Sequence, residues 1–89
     1  MTFKTIKKCK VKDIFYCAER VKTNCWIRTY NNIIFKVMHA RPSMYDEKVI
    51  LHITTQTSVG LDTVGSDVDF NYSENIELIK PLKEVLLEL

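Results

Sequence analysis

Glycine and proline are almost missing from this chain, with two of each in 89 residues. That scarcity excludes collagen-like repeats, flexible linkers and Gly-rich phosphate loops. No apolar run approaches the roughly 18 residues of a membrane span. The opening Met1-Thr2-Phe3-Lys4-Thr5-Ile6-Lys7-Lys8 lacks the apolar stretch of a secretory signal. Cysteine is present only at Cys9, Cys17 and Cys25, an odd count that cannot close a disulfide framework. The eight-residue spacing offers no close pair to begin a zinc chelate. Cys17 and Cys25 therefore read as small hydrophobes. A nucleophile elbow and a paired-His metal motif are also missing. The expectation is a reduced, cytoplasmic protein without enzymatic activity, cofactor or metal.

What is present is the composition of one globular domain spanning residues 1–89: 46% hydrophobic and 27% charged. The net charge of +2 conceals an asymmetry. Residues 1–41 carry ten Lys/Arg against Asp13 and Glu19, a balance of +8, while residues 42–89 carry three against nine acids, a balance of −6. Such a split means a two-faced surface or internal charge complementarity. Its densest part is Lys4, Lys7, Lys8, Lys10 and Lys12. If all five met phosphates, log affinity would fall against log salt with a slope of about −4 to −5. The simpler reading is a solvated basic segment.

Hydrophobic patterning is dominated by period two. Cys25–Tyr30 and Ile33–Ala40 are β-rich runs flanking Asn31-Asn32, which predicts a hairpin closed by a two-residue type I′ turn. That register sets Tyr30 opposite Ile33, Arg28 opposite Phe35 and Trp26 opposite Val37. Val49–Gln56 predicts a third strand with Val49, Leu51 and Ile53 on one face. After a loop over Thr57–Ser66, Val68, Phe70 and Tyr72 alternate with Asp67, Asp69 and Asn71, a half-buried strand. Ile76–Ile79 reads as a short strand, with Pro81 opening a terminal helix that buries Leu82, Val85, Leu86 and Leu89. Residues 11–22 fit two patterns. Val11, Ile14, Phe15, Ala18 and Val21 make a helical stripe, whereas Ile14-Phe15-Tyr16-Cys17 has strand propensity, and strand is the favoured reading. The fold class is mainly β, α+β at the margin. It is a small, strongly bent antiparallel sheet or an SH3-like or OB-like barrel with a short C-terminal helix.

Candidate chemistry is sparse. His39 and His52 fall on different strands, where a histidine is more often packed than catalytic. Asp67-Val68-Asp69-Phe70-Asn71 starts like a calcium loop but has Tyr72 and Leu78 where Gly and Glu are required, so its acids read as the wet face of a strand. Trp26, Arg28 and Tyr30 on one strand would make a stacking platform for single-stranded bases. The favoured alternative puts both aromatics in the core, with Arg28 snorkelling or pairing with an acid. Met44 and Tyr45, on the polar Arg41–Lys48 connection, are large side chains in a loop and mark a contact site together with Arg41.

Phe3-Lys4-Thr5-Ile6 followed by Lys10-Val11-Lys12-Asp13-Ile14-Phe15 resembles the opening of small phage- and mobile-element-encoded β-barrel accessory proteins. In those, a lead-in is followed by Gly-Asp-x-Phe and a strand, and Lys12 stands here in the place of the Gly. The resemblance implies a protein that binds and occludes a host component. The expected function is thus a non-catalytic binding protein, a phage-type inhibitor that occludes a host protein or nucleoprotein complex. The alternative is a nucleic-acid-binding module (RNA or DNA) using the basic N-terminal segment with Arg28. No membrane partner is expected, and open sheet edges allow a homodimer.

Overall fold

The computed structural model describes residues 2–16, 21–57, 60–61 and 65–87; Cys17, Leu89 and parts of the Thr57–Ser66 loop lie outside them. The chain is mainly β, as its patterning predicts. Its elements are β1 (Phe3–Lys10), α1 (Val11–Phe15), β2 (Val21–Thr29), β3 (Ile34–Pro42), β4 (Lys48–Thr57), β5 (Gly60–Leu61), β6 (Ser66–Asn71), β7 (Asn75–Pro81) and α2 (Leu82–Leu87). All strand pairings are antiparallel. The sheet order is β1-β7-β2-β3-β4, with β6 and the two-residue β5 both against the outer side of β4. The sheet does not close into a barrel. Register shifts within β1/β7, β2/β3 and β3/β4 are the local kinks that bend it.

The central hairpin forms, but one residue out of the expected register. Arg28 opposes Ile34, Ile27 opposes Phe35, and Trp26 opposes Lys36. The reason is the loop. Asn32 N–H donates to the Thr29 carbonyl (2.9 Å) and Thr29 N–H to the Ile33 carbonyl (2.9 Å), and only Asn32 (φ 62°), not Asn31, takes positive φ. This is a three-residue connection ending in a left-handed residue. The slip moves Phe35 and Val37 to the face of Ile27 and Cys25, and leaves Lys36 beside Trp26.

The core gathers on that face. Ile27, Val37, Ala40, Val49, Leu51, Ile53, Phe70 and Ile76 are buried in one cluster with Val11 and Phe15 of α1. The β4 alternation is as expected, with Val49, Leu51 and Ile53 inward. On β6 only Phe70 is buried, and Val68 is exposed, because β6 lies at the sheet margin. Trp26 and Ile79 are buried on the opposite face, where Phe3 packs at 5.0 Å from the Trp26 ring and Lys36 Nζ lies 5.5 Å over it.

Two assignments differ from the sequence expectation. Residues 11–15 are helical, not extended. The i, i+3, i+4 stripe of Val11, Ile14 and Phe15 outweighs strand propensity because the end of the sheet needs a plug. Asp13 accepts from the Lys10 N–H (2.7 Å) at the helix start, an N-terminal cap of the capping-box kind. Two further first-turn donors are satisfied outside the helix, Val11 N–H by the Glu74 carbonyl (2.9 Å) and Lys12 N–H by the Tyr72 carbonyl (3.0 Å). The C-terminal helix exists, yet Leu82 and Leu86 are exposed and Val85 is half-buried. Six residues lying along β7 and β1 present only a narrow stripe to the sheet.

Phe15 is 2% exposed, on a helix too short to hold itself together. Phe15→Ala is expected to cost about 3–5 kcal/mol in urea unfolding. A loss below about 1 kcal/mol would mean that the core does not depend on the plug.

Candidate contact groove

Three segments distant in sequence meet at one end of the sheet: the end of α1, the β3–β4 connection 43–47, and the β6–β7 turn at Tyr72–Ser73. Between them lies an open groove of about 690 Å³. Tyr72 joins its walls through its backbone, donating its N–H to the Glu47 carbonyl (2.8 Å) while its own carbonyl accepts from Lys12 (3.0 Å). The loop wall is shaped further by Ser43 Oγ, which accepts from the Tyr45 N–H (3.2 Å), and by Glu47, whose φ of 59° reverses the chain before β4. The groove is therefore fixed by hydrogen bonds before any partner arrives.

Its lining is aromatic and charged. The Tyr16 and Tyr72 rings lie 5.6 Å apart at 53°. Tyr45 is 60% exposed and Met44 beside it 88%. Lys48 Nζ sits 5.6 Å over the Tyr45 ring, which holds the phenol on the rim. Lys12, Asp46, Glu47 and Lys48 are its charged lining residues. Of the contact-prone pair of the sequence reading, Tyr45 lines the groove and Met44 is exposed next to it on the loop. Tyr16 and Tyr72 are not foreseeable from patterning, since Tyr72 counts as an inward strand residue and Tyr16 as part of an apolar run.

The other candidate residues are scattered. Lys4 and Lys7 pair with Lys80 and Leu78, whereas Lys8 and Lys10 pair with Glu77 and Asn75, so the basic strand divides its lysines between two faces. Lys8 and Arg28 both meet Glu77, at 4.0 and 3.0 Å. These residues, with Cys9 and Tyr30, line a second, smaller groove of about 400 Å³. Trp26 is only 7% exposed, so it offers no stacking surface, while Tyr30 stands out at the hairpin tip. Burial pushes the Cys25 thiol up, and burial with the nearby Asp13 carboxylate raises Cys9, which disfavours a reactive thiolate at either.

Arg41 belongs to a separate cross-strand array. Its guanidinium donates to Asp67 Oδ2 at 2.6 Å, and Asp67 Oδ1 lies 2.8 Å from His52 Nδ1. His39 opposes His52 in the ladder and stacks on it at 4.8 Å with 7° between the planes. The register shift between Val37 and His39 is what brings the rings together. Gly65 closes the array, for a Cβ there would stand 2.5 Å from His52 Nε2 and 2.9 Å from the Ile53 carbonyl. His52 is thereby wedged between ring, carboxylate and backbone, an arrangement that ties β3, β4 and β6 together.

The chain matches no family model, no curated protein and no solved structure, and the groove is read from its geometry. Among the described residues, no helix is long and apolar enough to cross a membrane.

The Asp67 carboxyl is held below its ordinary 3.8, first by the hydrogen bond to His52 and then by that from Arg41. A depressed folded value means that its contribution to stability is complete above about 3.8 and is lost as pH falls through the folded value. Unfolding midpoints of the native chain and Asp67→Asn, followed from about pH 5 down to about pH 2, should converge in acid. A gap that stays constant to the lowest pH would show that Asp67 makes no such ionic contribution.

Proposed function

We propose that this chain is a non-catalytic binding protein that occludes a protein surface, holding its partner at the groove between Lys12, Tyr45 and Tyr72. The observation that carries the reading is the meeting of exposed Tyr45 and Tyr16 around one hydrogen-bonded groove, with Met44 exposed next to Tyr45 on the same loop. Tyrosine and methionine are enriched at protein interfaces, and rigid aromatic anchors supply most of the binding energy there. A loop that spends large side chains on solvent, while its backbone is tied down, is presenting them. The more specific form, a phage-type inhibitor of a host protein or nucleoprotein complex, is supported by the resemblance of residues 3–15. The nucleic-acid alternative draws less support, because the lysines of β1 diverge across two faces and Glu77 is shared between Lys8 and Arg28; a phosphate-binding surface is a continuous basic stripe.

The test is recovery of partners on the immobilised chain from a nuclease-treated bacterial lysate, comparing it with the Met44→Ala/Tyr45→Ala double variant. Both positions are exposed, so circular dichroism and the unfolding midpoint should be unchanged. The expected result is a stoichiometric protein partner whose recovery falls at least about tenfold in the double variant. Equal recovery by both proteins would rule the groove out. Loss of all recovered material on nuclease treatment would transfer the function to nucleic-acid binding through Lys4, Lys7, Lys8, Lys10 and Lys12.

A further inference from the structure

The lining of the groove selects among partner shapes. Three of the four tyrosines of the chain line it, together with Pro42 and the hydroxyl-bearing Ser43 and Ser73. An amphipathic helix seated there would cover those hydroxyls without offering them acceptors, because its carbonyls are consumed by its own backbone bonds. A β-strand would need a free sheet edge to extend, and the walls are a helix, a loop, a turn and the ends of β3 and β4, both already paired in the sheet. A polyproline II segment meets both demands. It has no internal hydrogen bonds, so every carbonyl remains available to a hydroxyl, and its three-residue turn presents pyrrolidine faces to aromatic rings. It also arrives already extended, which suits a groove that Tyr72 has fixed in advance.

Charge supplies an independent criterion. Asp46 and Glu47 are exposed on the loop wall, and neither carboxylate makes an ion pair among the described residues. Lys12 and Lys48 line the groove as well, and Lys48 has its Nζ 5.6 Å over the Tyr45 ring, which leaves the carboxylates of Asp46 and Glu47 open to a cation from outside. A ligand with a cation at one end matches them. Building on the reading of the groove as the contact site, we propose that its occupant is a proline-rich segment of the partner protein in polyproline II conformation, with an Arg or Lys flanking the prolines and meeting Asp46 and Glu47.

The probe is a fluorescein-labelled decapeptide of three Pro-Pro-Ala repeats with one N-terminal Arg, titrated against the full chain by fluorescence anisotropy. Saturable binding below about 1 mM is expected, weakened at least about tenfold by Tyr45→Ala. Asp46→Lys/Glu47→Lys should weaken this peptide while sparing one that lacks the Arg, an outcome that general unfolding cannot produce. Equal binding of a peptide with Ala in place of every Pro, or no binding below about 1 mM, overturns the proposal. If partner recovery still falls in Met44→Ala/Tyr45→Ala when the peptide fails, the groove remains the contact site with another occupant. If neither changes, both readings fall together.

Discussion

The structure depends on the burial of Phe15 and Val11 beneath an open sheet. A barrel closes its own interior with hydrogen bonds from first strand to last; this sheet does not close, and its bent face would meet water at one end. A single helical turn fills that gap. Because the turn is too short for self-sufficiency, its first donors reach into the β6–β7 turn, to Glu74 and Tyr72. The plug and the β6–β7 turn are thus tied together, and the groove is the by-product. Tyr72 cannot leave the groove wall without releasing both Lys12 and Glu47.

The charge distribution follows from strand order. β7 lies between the basic β1 and β2, so its Glu77 is reached by Lys8 on one side and Arg28 on the other. The acidic β6 flanks β4 closely enough for Asp67 to meet Arg41 from β3. What reads along the chain as a basic half and an acidic half is joined, at these two places, by cross-strand ion pairs. The remaining lysines of β1 line an outer edge, where charge discourages another chain from adding to the ladder.

These facts explain how much could be read from residues alone. Val49, Leu51 and Ile53 alternate cleanly, and the strand is there. The Cys25–Ala40 hairpin is legible in its existence but not in its register, because two adjacent Asn residues serve a two-residue or a three-residue loop equally well. Phe35 and Val37 change face on that choice. Residues 11–15 carried both periodicities, and the decision was tertiary. In β1 the exposed lysines of an edge strand leave too little apolar alternation to announce a strand. Of the groove, Tyr45 was visible, with Met44 next to it, because large side chains are out of place in a polar loop. Tyr16 and Tyr72 reach it only through the helix and turn that fold around Phe15, and the His39–His52 stack depends on a bulge that no local pattern marks.

The order β1-β7-β2 has a consequence for how the chain is made. On a ribosome, β2, β3 and β4 can pair as each emerges, and β6 can then add to β4. The first strand has no such opportunity, since its sheet partner among the described residues is β7, which follows every other described strand in the chain. Until β7 emerges β1 must wait unpaired, and a nascent strand in that position is exposed to chaperones and to neighbouring chains on the same message. Lys4, Lys7, Lys8 and Lys10 suit that interval, keeping the segment hydrated and self-repelling until β7 arrives. The basic N-terminal run is then as much a provision for biosynthesis as a feature of the finished surface.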